Sequence, residues 1–283
     1  MLRYLKDKTA VFFSFLSIII LLTLYILFIG EIYINDLPKE FSKELKSFLV
    51  ISLTMGGVLV INTMSLSLGI MGTFVEDISK RSIDAFLVTP VKRWKIIISY
   101  YLSAIIVTSV LSLVMWGLTI IYAGVSTDYW YSGSVILKTS GLLILYTFIS
   151  TSLMIYLVTL LKSVNAFGAL SGVLGTLIGF TSGIYMSLAL LEKEIRYLAS
   201  INPFTHMAVL LKQVIMEQSL DLAYGYFDGN DEAYQFLLDI YGLVNHGIFG
   251  LDISLFWIFV GIGILSIALL MLAFKNMSKK MMY

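Results

Sequence analysis

The sequence predicts an all-α membrane protein with six transmembrane helices, and three observations carry that prediction. Of 283 residues, 59% are hydrophobic and 13% are charged, which is about half the charged share of a soluble domain. Mean hydropathy is +0.92. Six runs reach the roughly 20 apolar residues that a helix needs to cross about 30 Å of hydrocarbon. They are continuously apolar, whereas an outer-membrane barrel shows alternation over strands of about ten residues. Disorder is excluded, because disordered chains are charged and poor in apolar residues. The chain has no cysteine, so disulfides, thiolate nucleophiles and Cys-based zinc or iron–sulfur sites are ruled out. With two histidines, no His-rich metal centre is expected either.

The six runs cover about 10–29, 48–74, 96–123, 135–161, 166–190 and 253–274. The first precedes Glu31, Ile32 and Tyr33 rather than a small-residue cleavage site, so it reads as a retained helix. In the second, Gly56, Gly57, Gly69 and Gly72 permit close contact or a bend. The fourth and fifth are joined by Lys162-Ser163-Val164-Asn165, a tight turn that makes them an antiparallel hairpin. In the fifth, Gly168, Gly172, Gly175, Gly179 and Gly183 form a small-residue face, which lets helix backbones approach closely. The longest connection is an outer loop over 191–252. Without a fixed-period repeat, residues 1–283 read as a single transmembrane domain.

Charge sets the orientation. With both termini in the cytoplasm, twelve of the nineteen Lys and Arg residues fall on the inner side, against four of the eighteen Asp and Glu (Asp7, Glu76, Asp77 and Asp84). Excess Lys and Arg marks the cytoplasmic loops. Tyr122, Tyr129, Trp130, Tyr131 and Trp257 read as interfacial belt aromatics near span ends.

No Asp, Glu, Lys or Arg lies mid-span, which disfavours ion-coupled carriers and proton pumps. The buried polar groups are mild, including Asn62 and Thr63 in the second run. Ser and Thr can satisfy carbonyls of their own helix. Asn62 needs a partner, either across a dimer seam or along a transport pathway. No Gly-x-x-x-x-Gly-Lys-[Ser/Thr] phosphate loop occurs anywhere in the sequence, so the chain is not expected to bind ATP itself.

Residues 75–95 form the first inner connection. Ile83, Phe86 and Leu87 fall at i, i+3 and i+4, one apolar helical face, and Pro90 ends that helix. Lys92, Arg93, Trp94 and Lys95 then make an aromatic-plus-basic anchor. Physics leaves two readings open, an interfacial connector or a short helix presented to a cytoplasmic partner. The residues Glu76, Ser82-Ile83-Asp84, Leu87, Thr89-Pro90-Val91 and Arg93 resemble the segment that ABC type-2 transporter permeases carry between their second and third helices. Arg81 stands where that family commonly has glycine. The resemblance implies a coupling helix that fits a cleft on an ATPase subunit, with Glu76, Arg81, Ser82, Ile83, Asp84, Phe86, Leu87, Thr89, Pro90 and Arg93 as its contact residues.

A second segment, Asn202-Pro203-Phe204-Thr205-His206 followed by Lys212, is similar to the family's Asn-Pro-hydrophobic-Thr pattern. The resemblance implies short helices dipping back into the outer leaflet. The local chemistry by itself gives a capped helix, with Asn202 at the cap and Pro203 in the first turn.

The implied function is the permease subunit of an ATP-driven exporter. It would pair with a cytoplasmic ABC ATPase carrying the ATP and Mg and with a second permease subunit, identical or related. An apolar, uncharged seam suits an amphipathic or lipid-like cargo such as a drug, an antimicrobial peptide or a lipid. Two alternatives stand beside it: a membrane immunity or sensor protein that binds an antimicrobial without transporting it, and a polysaccharide or teichoic-acid exporter. An intramembrane hydrolase lacks a nucleophile–base pair, since His206 and His246 fall in outer loops. The acidic, aromatic stretch 217–240 reads as a solvated loop rather than a calcium site, because it lacks the twelve-residue ligand spacing. It is also a candidate extracellular cap. The Ile- and Lys-leaning composition points to a low-GC bacterium, and nothing in the sequence points to nucleic acid.

Overall fold

A computed structural model describes residues 8, 12, 23, 41–83, 92–161, 163–181, 191–227, 234–235, 237–238, 241–244, 247–251 and 253–280. These residues hold seven helices: α1 (Lys43–Ser79), α2 (Arg93–Thr127), α3 (Gly133–Leu160), α4 (Val164–Thr181), α5 (Lys193–Ile201), α6 (Pro203–Tyr224) and α7 (Leu255–Lys280). Among the described residues, five helices are long and apolar enough to cross a membrane: α1, α2, α3, α4 and α7. They correspond to the second to sixth expected spans. The expected first span, 10–29, lies outside the described residues apart from two isolated helical positions, 12 and 23.

α1 is apolar all round and buried almost throughout, as a helix without a polar face must be. It is the axis on which α2, α3, α4 and α6 pack. Ser42 caps its start, its hydroxyl accepting from the Leu45 amide at 3.1 Å. α3 and α4 begin in the same way, on Ser132 and Ser163. Each such cap satisfies one of the orphan amides of a first turn.

Cross-helix bonds fix the chain directions. Met55 meets Thr119, Asn62 meets Ser112 and Asp77 meets Tyr100, so α1 and α2 are antiparallel. Tyr101 meets Ser152 and Ser109 meets Thr147, so α2 and α3 are antiparallel as well. Tyr146 stacks on Phe259, and Asn276 reaches Thr159, so α3 and α7 run parallel. That is the alternation of an up-and-down membrane bundle.

Three of the buried hydroxyls serve two partners each. Thr63 donates to the Val60 carbonyl, so its oxygen accepts from Ser150 at 3.1 Å. Ser152 donates to Phe148 and accepts from Tyr101, and Thr147 donates to Ile144 and accepts from Ser109. The same side chains quiet their own helix and pin a neighbour. Such interhelical bonds average about 0.6 kcal/mol each in membrane bundles.

Tyr131 differs from the belt reading. It is buried, with its ring between Phe48 (5.0 Å) and Trp116 (5.1 Å) and its hydroxyl 2.8 Å from Ser52 Oγ. A phenol whose oxygen finds a partner inside need not sit at the water boundary. Tyr122, Trp130 and Trp257 remain exposed.

At the same end of the bundle, Lys138 of α3 pairs with Glu217 of α6 at 2.7 Å, both side chains about half exposed. Gln218 accepts from the Ser132 amide and donates to the Trp130 carbonyl. Exposed ion pairs contribute about 0–1 kcal/mol, so Lys138→Met is expected to shift the melting temperature of the purified protein by no more than a degree or two. A larger loss would make the pair a structural bond.

Candidate functional site

Two places carry the motifs, one at each end of the bundle. At the first, α1 ends at Ser79 and turns. The Lys80 amide donates to the Glu76 carbonyl, the Arg81 amide to Ile78 and the Ile83 amide to Asp77 (3.4 Å). Glu76 and Lys80 form an ion pair one turn apart. Arg81 makes the turn with φ +55°, the left-handed region that glycine enters freely and other residues enter at a cost of about 1–2 kcal/mol. The glycine that the resemblance puts at this point would enter that region without the cost, and Arg81 holds it with a side chain attached.

Ser82 is exposed and Ile83 is buried in the main core. Asp77, which the motif reading passed over, is buried and accepts from the Tyr100 hydroxyl of α2 at 2.6 Å. The elbow is thus anchored by an apolar side chain and a carboxylate–phenol bond. Asp84, Phe86, Leu87, Thr89 and Pro90 lie outside the described residues, and Arg93 is the first residue of α2. Replacing Arg81 by glycine trades the left-handed strain for glycine's own entropy cost, about 0.5–1 kcal/mol. Arg81→Gly is expected to stabilise the protein by up to about 1 kcal/mol, read as a small rise in thermal midpoint; a fall would mean that the arginine side chain holds the turn.

At the other end, α5 and α6 meet at Asn202. Asn202 Oδ1 accepts from the Phe204 amide at 3.1 Å, and Pro203 occupies the first helical position. Its Nδ2 donates to Thr181 Oγ1 at 2.6 Å. The Thr205 hydroxyl lies 2.7 Å from the Ala199 carbonyl and 2.8 Å from that of Thr181. The Asn-Pro-Phe-Thr run therefore does more than cap a helix. It clamps the start of α6 to the end of α5 and to Thr181 in α4. His206 is buried, with Nε2 at 2.8 Å from the Ser200 carbonyl, a structural bond rather than a catalytic one.

α6 is also longer than the short helices expected here. It has 22 residues, about 33 Å at 1.5 Å per residue, and most of its length is buried against α1. Lys212 is buried beside Gly56, where an added Cβ would lie 2.8 Å from the Lys212 backbone. Leu45, Leu49 and Leu53 share a core cluster with Met216, Leu220 and Ala223, so α6 runs antiparallel to α1. Beyond it, Phe41 packs on Tyr226 and Phe227, and Tyr234 on Tyr224 and Phe227. This aromatic knot caps the end of α1. Burial, and then the nearby Asp221 carboxylate, raise the Tyr234 phenol above its ordinary value.

Asn62 and Thr63 lie inside the bundle. Asn62 Nδ2 donates to Ser112 at 3.3 Å, while its Oδ1 has no hydrogen-bond partner among the described residues; Thr63 bonds Ser150.

The family model of the ABC-2 type transporter matches residues 1–216. That stretch includes the elbow and the Asn-Pro-Phe-Thr clamp and extends into α6. The chain belongs to the ABC-2 type transporter family. No curated protein matches it. As an ABC-2 permease it is a multi-pass membrane protein and the transport component of a system that works with an ATPase subunit.

Proposed function

We propose that this permease is half of an exporter that moves an amphipathic or lipid-like cargo (a drug, an antimicrobial peptide or a lipid) across a bacterial plasma membrane. ATP and Mg belong to a separate cytoplasmic ATPase subunit. In this reading the helix 10–29 completes six spans, both termini face the cytoplasm, and residues 84–93 dock in the ATPase cleft.

The observation that carries the cargo class is the division of polarity in the bundle. Ser, Thr, Asn and Tyr groups of α1, α2 and α3 are bonded to one another. α4 and α7 are mostly exposed and present Val173, Leu177, Phe180, Val260, Ile264 and Met271 outward. A route between two such bundles is apolar and uncharged, which fits a greasy cargo and offers nothing to an ion or a free sugar. The decisive experiment measures ATP hydrolysis by the purified permease–ATPase complex with candidate compounds. Stimulation severalfold by cationic amphipathic drugs, peptides or lipids is the expected result. Stimulation confined to polysaccharide or teichoic-acid precursors, or tight drug binding with no effect on hydrolysis, would replace the reading with one of the alternatives above.

The second permease subunit is placed against α4. Gly168, Gly172 and Gly175 lie on one helical face, and an added Cβ at each meets nothing within 4 Å. A small-residue face open to its surroundings suits the close approach of another helix. Because the chain has no cysteine, Gly172→Cys supplies a single thiol. It is expected to give a disulfide-linked dimer in membranes under mild oxidation, and a Cys at the α2 position Val114 is not. Equal cross-linking at both positions would remove α4 from the seam.

A further inference from the structure

Beside α5 lies a cavity of about 430 Å³, lined by Lys193, Arg196, Tyr197, Ser200 and Gly250, within the ~300–1,000 Å³ range of small-ligand sites. No carboxylate is among these lining residues. One helical face supplies four of them, at 193, 196, 197 and 200. Arg196 is held in place by an Nη2 bond to the Leu191 carbonyl at 3.2 Å. The Lys193 ammonium lies 5.6 Å from the centroid of the Tyr197 ring, a cation–π distance.

The opposite wall is a turn in an uncommon conformation. The Leu251 amide donates to the Ile248 carbonyl, and the two central residues, Phe249 (φ +52°) and Gly250 (φ +78°), are both left-handed. That is the pattern of a type I′ turn. Left-handed backbone at a non-glycine residue persists only where its surroundings hold it. Here the Phe249 amide donates to Ser200 Oγ at 3.0 Å, and that hydroxyl donates to the Tyr197 carbonyl. Gly250 is required twice over, because a Cβ there would lie 2.8 Å from the Tyr197 hydroxyl oxygen.

A third feature says what reaches the cavity. On the far side of α5, Ile195, Leu198 and Ile201 are 46%, 65% and 56% exposed. An exposed apolar stripe opposite a cationic face is the pattern of a helix lying in a membrane interface. A helix lying so would hold Lys193 and Arg196 at headgroup level.

We propose that this cavity binds the phosphate of a membrane lipid headgroup. Arg196 supplies a positioned guanidinium charge beside the Leu191 carbonyl, Lys193 a mobile ammonium and Tyr197 a phenolic donor, while Ile195, Leu198 and Ile201 meet the acyl region. The assignment needs only that the bundle is embedded in a bilayer. It does not depend on the cargo, on the dimer seam or on which face of the membrane is outside.

The test uses the full-length protein in nanodiscs without nucleotide. Retention of phosphatidylglycerol over phosphatidylcholine is read by native mass spectrometry and by titration of a fluorescent phosphatidylglycerol. Wild type is expected to hold the anionic lipid, and Lys193→Gln with Arg196→Gln to weaken it about 10- to 30-fold, the effect of two interfacial cations. Gly250→Ala, which leaves both charges in place, is expected to weaken it as well by pushing Tyr197 into the cavity, while Lys138→Gln on the bundle's exposed ion pair changes nothing. Equal lipid binding by the double variant overturns the proposal. So does competition by soluble glycerol phosphate with no preference among lipids, which would assign the cavity to a free phosphate compound. If the double variant loses fold as judged by its melting profile, the Gly250→Ala titration decides: unchanged affinity there also overturns it.

Discussion

Gly56→Val is expected to give little or no folded protein, with the small fraction recovered from detergent melting well below wild type. Gly56 is a point of close contact between α1 and α6. A single added carbon would lie 2.6 Å from Lys212 Cγ, 2.8 Å from its Cα and 3.0 Å from its amide nitrogen. The first of these contacts can yield by rotation, but the other two are backbone, so α6 as a whole must move. α6 is tied at both ends. Asn202 and Thr205 hold its start to Thr181, and Glu217 and Gln218 hold its far half to Lys138 and the 130–132 segment. Tyr146 also donates to the Met207 carbonyl at 2.9 Å. Overpacking of a rigid core costs about 1–3 kcal/mol for extra methylenes even where side chains can adjust, and a backbone displacement exceeds that. Gly141→Ala in α3 is the control, because its added carbon meets nothing within 4 Å and alanine is the better helix former by about 1 kcal/mol. Its melting temperature should equal or exceed wild type. Equal behaviour of the two variants would mean that the α1–α6 crossing is not close in the folded protein.

The same pair of helices shows what the sequence makes legible and what it conceals. α1, α2, α3 and α7 read directly, because a lipid-crossing helix is apolar along its length and each run falls within a few residues of its helix. α6 does not read this way. It carries His206, Lys212, Gln213, Glu217, Gln218 and Asp221, so its hydropathy resembles that of a loop helix. Yet it is buried, because its partner is α1 rather than lipid, and burial against protein permits polar side chains that find bonds there. The Asn-Pro-Phe-Thr run was visible as a cap. Its second role was not, since the bonds to Thr181 span 21 and 24 residues and no local rule reaches that far. Arg81 reads as a departure from the glycine of the resemblance, and its φ of +55° is one that glycine enters freely. Asp77 reads as one more charge in an inner loop; a carboxylate two residues before a helix end gives no sign of a buried phenol partner. Tyr131 departs from the belt reading for a similar reason. Aromatic residues beside a span end are most often interfacial, and only the hydroxyl of Ser52 inside the bundle makes burial acceptable for this one.

The elbow makes the second large prediction. Deleting residues 80–90 is expected to abolish co-purification of the ATPase subunit and all cargo-stimulated hydrolysis, while the rest of the permease still inserts. A milder change separates docking from transmission. Ile83 sits in the main core, and its amide bonds the Asp77 carbonyl, while the Asp77 carboxylate takes the Tyr100 hydroxyl. Any displacement of the segment after Ile83 is therefore delivered to α1 and α2 together. Because α2, α3, α4 and α6 all pack on α1, a push at this point would reach most of the bundle. Ile83→Ala removes apolar burial of the kind that costs about 2–5 kcal/mol without touching the segment that would enter the ATPase. Asp77→Asn with Tyr100→Phe loosens the second anchor, a bond to a charged group of the class that contributes about 1.5–3 kcal/mol. Both variants are expected to retain the ATPase on a column, with basal hydrolysis near normal, and to lose most of the stimulation that cargo produces. A permease lacking 80–90 that still binds its ATPase would place the dock elsewhere. Full stimulation in the anchor variants would show that the motion enters the membrane by another route, for which α2, starting at Arg93, is the nearest path.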